Sequence, residues 1–226
     1  MSEMKAVKSK LSLYEKYRPQ KLEQIVGQDR VVKNLVMLSK KGYGGRAFWI
    51  SGISGSGKTS IARIIASEIA DQFMITEFDS ASTLCVEYFE EVAKTMNLYG
   101  WGKGGRAYII NEAHGLKKRV IQQMLGVLER IPGHVVFIFT TTKSGQENLF
   151  EEQMDAGPLL SRCIEISLTS KGLNQVFAKR SKEIAEKEHL DGKPIQEYVK
   201  LAETCKSNFR AMLQKIEAGT MLGNGG

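Results

Sequence analysis

The run Gly52-Ile53-Ser54-Gly55-Ser56-Gly57-Lys58-Thr59 joins a glycine-rich turn to a lysine and a hydroxyl residue, a spacing suited to holding phosphate. The glycines let backbone N–H groups crowd around an oxyanion, and a following helix adds its positive N-terminal end. Lys58 is then placed to reach β- and γ-phosphates, and the Thr59 hydroxyl to ligate Mg2+. The flanks agree. Ala47-Phe48-Trp49-Ile50 precedes the turn as a strand-like run, and Ile61, Ile64, Ile65 and Ile69 follow it at helical spacing. A Gly/Ser-rich turn without a ligand is the plain alternative. Strand, loop and helix in this order favour a nucleoside triphosphate site, with Gly52, Ile53, Ser54, Gly55, Ser56, Gly57, Lys58, Thr59 and Ser60 as its binding set.

Phosphoryl transfer also needs a second strand ending in acid, to hold the metal and orient the attacking water. Tyr108-Ile109-Ile110-Asn111-Glu112-Ala113-His114 has that form, apolar positions giving way to polar ones. The elements that must present both loops follow from hydrophobic periodicity. A helix is predicted over 29–41 with Gly42 as its stop, and strands over 46–51, 73–78, 106–111, 134–141 and 163–168. Between them lie a helix carrying Val86, Phe89, Val92, Ala93 and Met96, and another near 117–130 carrying Val120, Ile121, Met124, Leu125 and Leu128. Apolar strands alternating with amphipathic helices predict an α/β fold, a five-stranded parallel sheet covered on both faces. Tyr99-Gly100-Trp101-Gly102-Lys103-Gly104-Gly105 carries too much glycine for regular structure and reads as a mobile loop. After Ser170, three helical segments near 173–189, 194–206 and 208–218 follow with no strand between them, which predicts a separate small all-α domain.

Composition sets outer bounds. A 226-residue chain that is 42% hydrophobic can bury a real core. Its net charge of +7, from 32 Lys+Arg against 25 Asp+Glu, is compatible with a polyanionic partner. Cys85, Cys163 and Cys205 are unclustered and read as reduced thiols, which fits a cytoplasmic protein. Residues 1–10 are polar and lysine-bearing, with no apolar signal region, and no run approaches the ~18 apolar residues of a membrane span. A soluble chain with no membrane partner is expected.

Several motifs then occur in one order: Tyr14-Glu15-Lys16-Tyr17-Arg18-Pro19, Ile25-Val26-Gly27-Gln28, the phosphate loop, Asn111-Glu112-Ala113-His114, residues 125–129, and Leu159-Leu160-Ser161-Arg162-Cys163. Together they resemble the sliding-clamp loader ATPases of the AAA+ superfamily, the bacterial DNA polymerase III gamma/tau and replication factor C small subunits. The resemblance spans roughly 14–218. It implies an AAA+ P-loop ATPase domain at 13–170 and a helical lid at 171–218; the residues themselves read as a flexible lead at 1–12 and a glycine-rich, disordered tail at 219–226. It implies ATP and Mg2+ as cofactors, with sister clamp-loader subunits (in a homo- or hetero-oligomer), a sliding clamp and primer–template DNA as partners. Residue by residue, Tyr17, Arg18, Pro19 and Val26 border adenine and ribose, and Glu112 polarises the water. Thr142 watches the γ-phosphate, though Thr140 and Thr141 beside it leave that register open by one. Arg210 touches the same phosphate from the lid, and Arg162 is the finger presented in trans to a neighbour's ATP. Lys117, Lys118 and Arg119 stand where these ATPases approach duplex DNA, a solvated basic helix end being the alternative. Cys163 reads as a small hydrophobe and His114 as a structural hydrogen-bonder.

The chain also departs from the pattern. Asn111 stands where the family has Asp, so Mg2+ binding by Thr59 and Asn111 is expected to be weaker and hydrolysis slow. The chain stops just after the second helical region, where the family carries a collar domain. The insert before Asn111 lacks zinc-binding cysteines, and 144–157, with Glu147, Glu151, Glu152 and Asp155, is longer and more acidic than its counterpart. A divergent clamp-loader ATPase lacking the collar is the leading expectation. A hydrolysis-poor ATP-binding scaffold subunit and another DNA-remodelling AAA+ ATPase are the alternatives.

Overall fold

The structure, a computed structural model, describes residues 11–142 and 156–223, which divide into two compact units. One comprises residues 19–142 and 156–173; the other joins 11–18 to 174–223. The expected acidic segment 144–157 falls almost wholly outside the described residues, as do 1–10 and 224–226.

The larger unit is built on five parallel strands: β1 (Arg46–Ser51), β2 (Ile75–Phe78), β3 (Arg106–Ile110), β4 (Val135–Thr141) and β5 (Cys163–Ser167). Their spatial order is β2-β3-β4-β1-β5, with every pair parallel. Parallel strands need helical crossovers, which bury both faces and demand apolar runs such as Ala47-Phe48-Trp49-Ile50. One face packs Phe48, Ile50, Ile109 and Ile138 against α2 (Asp29–Ser39) and α3 (Lys58–Ile69). The other packs Trp49, Tyr108, Phe137 and Phe139 against α4 (Val86–Thr95) and α5 (Lys118–Leu128). A short α6 (Ala156–Leu160) leads into β5. Gln28 pins the chain ahead of α2 to the end of the sheet, its amide accepting from Thr169 N at 2.9 Å and donating to Thr169 O at 3.0 Å.

The smaller unit is all helical, with α1 (Leu13–Lys16), α7 (Leu173–Lys187), α8 (Ile195–Thr204) and α9 (Phe209–Glu217) around Phe177, Ile184, Tyr198, Leu201, Met212 and Ile216. Asn208 caps α9 by accepting from Ala211 N at 3.1 Å, replacing one of the helix's orphan donor contacts. Asp191 ties the loop after α7 to α8, accepting from Lys182 Nζ at 2.6 Å and Tyr198 Oη at 2.8 Å. Burial works against the Asp191 charge, yet these bonds outweigh it and hold its carboxyl below the ordinary value.

Four expectations are corrected. The strand predicted from 73 begins at Ile75; Gln72–Met74 is a 3-10 turn that rotates Phe73 outward to 93% exposure. The glycine loop is bonded in place: Gly100 N donates to Gly104 O at 2.8 Å and Lys103 N to Asp71 Oδ2 at 2.7 Å, while Tyr99 stacks on His134 at 4.2 Å. The tail expected to be disordered from 219 is ordered through 223, because Met221 is buried and Lys193 Nζ donates to Thr220 O at 2.8 Å. The N-terminal motif belongs with the helices through Arg18, α1 packing on α9. No helix among the described residues is long and apolar enough to cross a membrane.

Candidate functional site

The phosphate loop occupies the C-terminal end of β1, where parallel α/β sheets place their ligands. Gly55 and Gly57 take φ of 73° and 103°, and Gly57 leads directly into α3. A side chain on Gly57 would strain that backbone and project into open space. Lys58 is buried, its ammonium donating to Gly52 O and Ile53 O at 3.0 Å each. Ser56 Oγ donates to Ile53 O at 2.7 Å and closes the turn. Gly52 N donates to Thr141 O at 3.2 Å, tying the loop to β4. Ser54 is exposed, while Ser60 is buried in the first turn of α3.

Beside the loop, the ends of β3 and β4 supply the polar groups. Thr59 Oγ1 donates to Asn111 Oδ1 at 3.3 Å, and Thr140 Oγ1 to the same oxygen at 2.8 Å. Glu112 adopts φ 50° and ψ 48°, a left-handed conformation costing a non-glycine residue about 1 kcal/mol. Such strain clusters at functional positions. Here it turns the chain sharply, with Gly115 N donating to Glu112 O at 2.9 Å, and leaves the carboxylate half-exposed at the rim. His114 Nδ1 lies 3.5 Å from Glu112 Oε2 and 3.2 Å from Thr141 Oγ1. Thr142 is half-buried just past β4, its carbonyl accepting from Thr141 Oγ1 at 3.2 Å. Three threonines therefore end this strand, and Thr140 is the one that touches Asn111.

The remaining predicted residues are spread more widely. Pro19 and Val26 lie half-buried in the sheet unit. Tyr17 and Arg18 lie in the helical unit, where Tyr17 Oη donates to Glu188 and Arg18 Nε to Glu15 Oε2 at 2.9 Å. The Glu188 carboxylate raises the Tyr17 phenol above its ordinary value. Arg210 is exposed, its guanidinium 5.2 Å from the Tyr14 ring, and Arg18 stacks 5.9 Å from the same ring. Lys117, Lys118 and Arg119 are exposed at the start of α5. Burial pushes the Cys163 thiol up to about 12, so it stays protonated at neutral pH and is no nucleophile.

Arg162 stands apart from the loop. It precedes β5, whose Cys163 pairs with Ala47 and whose Ser167 pairs with Ser51. The phosphate loop begins after Ser51, so Arg162 sits at the opposite end of the β1–β5 pair, about 17 Å away by strand rise. Its guanidinium pairs with Glu129 and donates to Pro158 O at 2.7 Å.

These groups fit ATP and Mg2+. The loop offers backbone donors and one buried cation to phosphate, and the Thr59 and Asn111 side-chain oxygens lie together. Mg2+ keeps several waters and takes phosphate oxygens, so two protein oxygens suffice for a weak site. Sequence reading missed Glu77 and Arg63, and placed Thr140 only beside Thr142 without its contact to Asn111. Glu77 on β2 accepts from Asn111 Nδ2 at 3.0 Å and from Arg63 Nε at 2.8 Å. Only the outward polar position in the β2 run Ile75-Thr76-Glu77-Phe78 could have flagged it.

The family model of the ATPase family associated with various cellular activities (AAA) matches residues 48–168. The DNA polymerase III subunit gamma of Buchnera aphidicola subsp. Acyrthosiphon pisum is 29% identical over 239 aligned positions, covering 94% of this chain. The DNA polymerase III subunit tau of Escherichia coli K12 is 27% identical over 236, again covering 94%. The chain spans 62% of the first relative's length and 35% of the second's. Among solved structures, the Thermotoga maritima RuvB Holliday junction branch migration motor is similar at a TM-score of 0.64 and 22% identity, over 89% of this chain and 64% of that one. At that identity the likeness is one of fold.

Proposed function

The chain belongs to the ATPase family associated with various cellular activities, and from that premise we propose that it is an ATPase subunit of clamp-loader type acting in DNA replication. It binds ATP with Mg2+ through 52–59, assembles with sister subunits, engages a sliding clamp and primer–template DNA, and releases them on hydrolysis. Lys58 holds the β- and γ-phosphates, Thr59 and Asn111 face the metal, and Glu112 orients the attacking water. Thr142, in a register open by one, reports the γ-phosphate. The nucleotide contacts of Tyr17, Arg18, Pro19, Val26 and Arg210, and the DNA contacts of Lys117, Lys118 and Arg119, rest on the family resemblance.

The observation that carries the shared-site reading is Arg162. Strand register holds it at the far end of β1–β5 from this chain's own phosphate loop. A guanidinium there can serve phosphoryl transfer only on another subunit's nucleotide, where such a group is worth ~10³–10⁵ in rate. The test mixes Arg162→Ala and Lys58→Ala chains and measures ATPase rate with primed DNA and a sliding clamp, alongside mass in solution. Each variant lacks a different half of a shared site, so mixed assemblies recover activity that neither has alone. Full activity of Arg162→Ala by itself, or no recovery in mixtures shown to assemble, overturns the assignment.

One observation favours a second reading, an ATP-binding subunit that turns over little. Asn111 brings an amide rather than a charge to the metal side of the site. Tight ATP binding with no hydrolysis under any combination of DNA and clamp selects it.

A further inference from the structure

The Asn111 side chain is oriented by a group on a different strand. Glu77 Oε1 lies 3.0 Å from Asn111 Nδ2. An ionised carboxylate only accepts, so the atom facing it must be the amide N–H2, and the Asn111 oxygen must face the other way. That oxygen is where Thr59 and Thr140 both donate. Glu77 is itself held by Arg63 of α3, which donates from Nε to Oε2 at 2.8 Å and from Nη2 to Oε1 at 3.1 Å, the bidentate geometry that best fixes a carboxylate. The sequence Arg63, Glu77, Asn111, Thr59 thus runs from the surface of α3 through β2 and β3 to the mouth of the phosphate loop.

We propose that Glu77 is a positioning residue of the nucleotide site: it locks the Asn111 amide with its oxygen toward Thr59, and it supplies from β2 the negative charge that the end of β3 lacks. The metal half of this inference rests on the ATP–Mg2+ reading above; the Glu77–Asn111 contact does not. A consequence follows for position 111. Aspartate cannot simply replace the asparagine, because it would offer Glu77 an acceptor where the amide donates and would set two carboxylates about 3 Å apart. Glu77 and Asn111 therefore act as one carboxylate–amide unit whose charge stands one strand back from the loop. Exchanging the two groups keeps the total charge and the hydrogen bond while moving the charge next to Thr59.

The test is a double-mutant cycle of Glu77→Gln, Asn111→Asp and the combined variant, read in two ways. Melting temperature without nucleotide or metal reports the contact alone. Affinity for a fluorescent ATP analogue, with Mg2+ and with EDTA, reports the site. Asn111→Asp alone is expected to lower Tm by roughly 4–8 °C and to leave Mg2+-dependent affinity unimproved. The combined variant is expected to regain most of that Tm and to bind the Mg2+–analogue about tenfold more tightly than Asn111→Asp does. Additive Tm changes, or an Asn111→Asp chain as stable and as tight-binding as the combined one, overturn the proposal. If no variant, nor the unaltered chain, binds the analogue, the nucleotide reading fails, while the Tm cycle still decides whether Glu77 and Asn111 are coupled.

Discussion

At the C-terminal ends of the strands, Gly57 sits at φ 103°, and a Cβ there would meet no atom within 4 Å. At the N-terminal ends, a Cβ on Gly44 would fall 1.9 Å from Gly133 O, and one on Gly105 2.3 Å from Ile69 O. Both rims of the sheet are glycine-rich, and composition alone makes them look alike. Gly57 leaves open space beside the loop, whereas Gly44 and Gly105 admit neighbouring backbone that a side chain would clash with. The polar groups divide the same way. The upper rim gathers buried Lys58 and Asn111 with the strained Glu112. The lower rim spends its polar bonds on itself, as where Arg106 Nε donates to Leu98 O at 2.9 Å and His134 Nε2 contacts Met96 O at 3.0 Å.

The strongest way to break this contrast is Lys58→Ala. Removing the loop's cation forfeits charge-assisted bonds to phosphate, and ATP affinity should fall on the order of 10³-fold, about 4 kcal/mol. Tm without nucleotide should change far less. Calorimetric titration with ATP checks the first and thermal melting the second; unchanged affinity would mean that the loop does not hold phosphate.

The opposite signature is expected for Gly105→Ala. Its methyl would meet Ile69 O at 2.3 Å and Ile69 Cγ2 at 2.5 Å, so β3 or α3 must shift, at a cost of about 1–3 kcal/mol. Tm should drop by several degrees while ATP affinity per folded molecule is retained. If Gly105→Ala loses ATP as Lys58→Ala does, the two rims are coupled and the division fails.

Between these falls Gly57→Ala. Nothing obstructs the methyl, so the stability cost is the backbone strain of a positive φ, about 1–2 kcal/mol. ATP affinity should nevertheless fall, because the methyl enters the space kept for phosphate. A variant that loses stability yet binds ATP as before would show that the ligand lies elsewhere.

The same division explains what could be read from the residues in advance. Strands β1, β3 and β4 were legible because both-face burial forces unbroken apolar runs bounded by glycine or polar residues. The phosphate loop was legible because its chemistry is contiguous. The contacts of Thr140 and Glu77 with Asn111 were not, because parallel pairing brings them together across 29 and 34 residues of chain, and Arg63 joins only through Glu77, which leaves no local spacing to detect. Phe73 misled because an aromatic beside Met74 and Ile75 mimics a strand start, whereas the 3-10 turn of Gln72–Met74 sets it outward. The 99–105 loop misled because glycine content measures conformational freedom, not whether that freedom is used; Asp71 and His134 fix it.

Arg162 is the residue that crosses the division, and its pairing with Glu129 carries the smallest and most selective effect. It stands on the packing rim, yet its Nε is buried without a hydrogen-bond partner among the described residues, and its head pairs with Glu129 at the surface. The Arg162 guanidinium, by hydrogen bond first and charge second, holds the Glu129 carboxyl below its ordinary value of 4.5. The sign is therefore fixed: the pair stabilises the folded chain above that ordinary value, and the contribution is lost as pH falls through the lower folded one. An exposed pair of this kind is weak and screened by salt. Melting the unaltered chain and Glu129→Gln side by side in low salt should show a small gap that is constant from about pH 7 to about pH 5.5 and closes as pH falls below about 4. Added salt should narrow it throughout. A gap that widens in acid, or that ignores salt, would mean Glu129 is held by something other than Arg162. Because the carboxylate competes with any phosphate for the same guanidinium, Glu129→Gln should also leave Arg162 more readily available in trans, and mixed assemblies with Arg162→Ala chains, which keep the phosphate loop but lack the finger, should hydrolyse ATP at least as fast as those made with the unaltered chain. Slower hydrolysis there would reverse the interpretation, making Glu129 the group that aims the finger instead of the one that parks it.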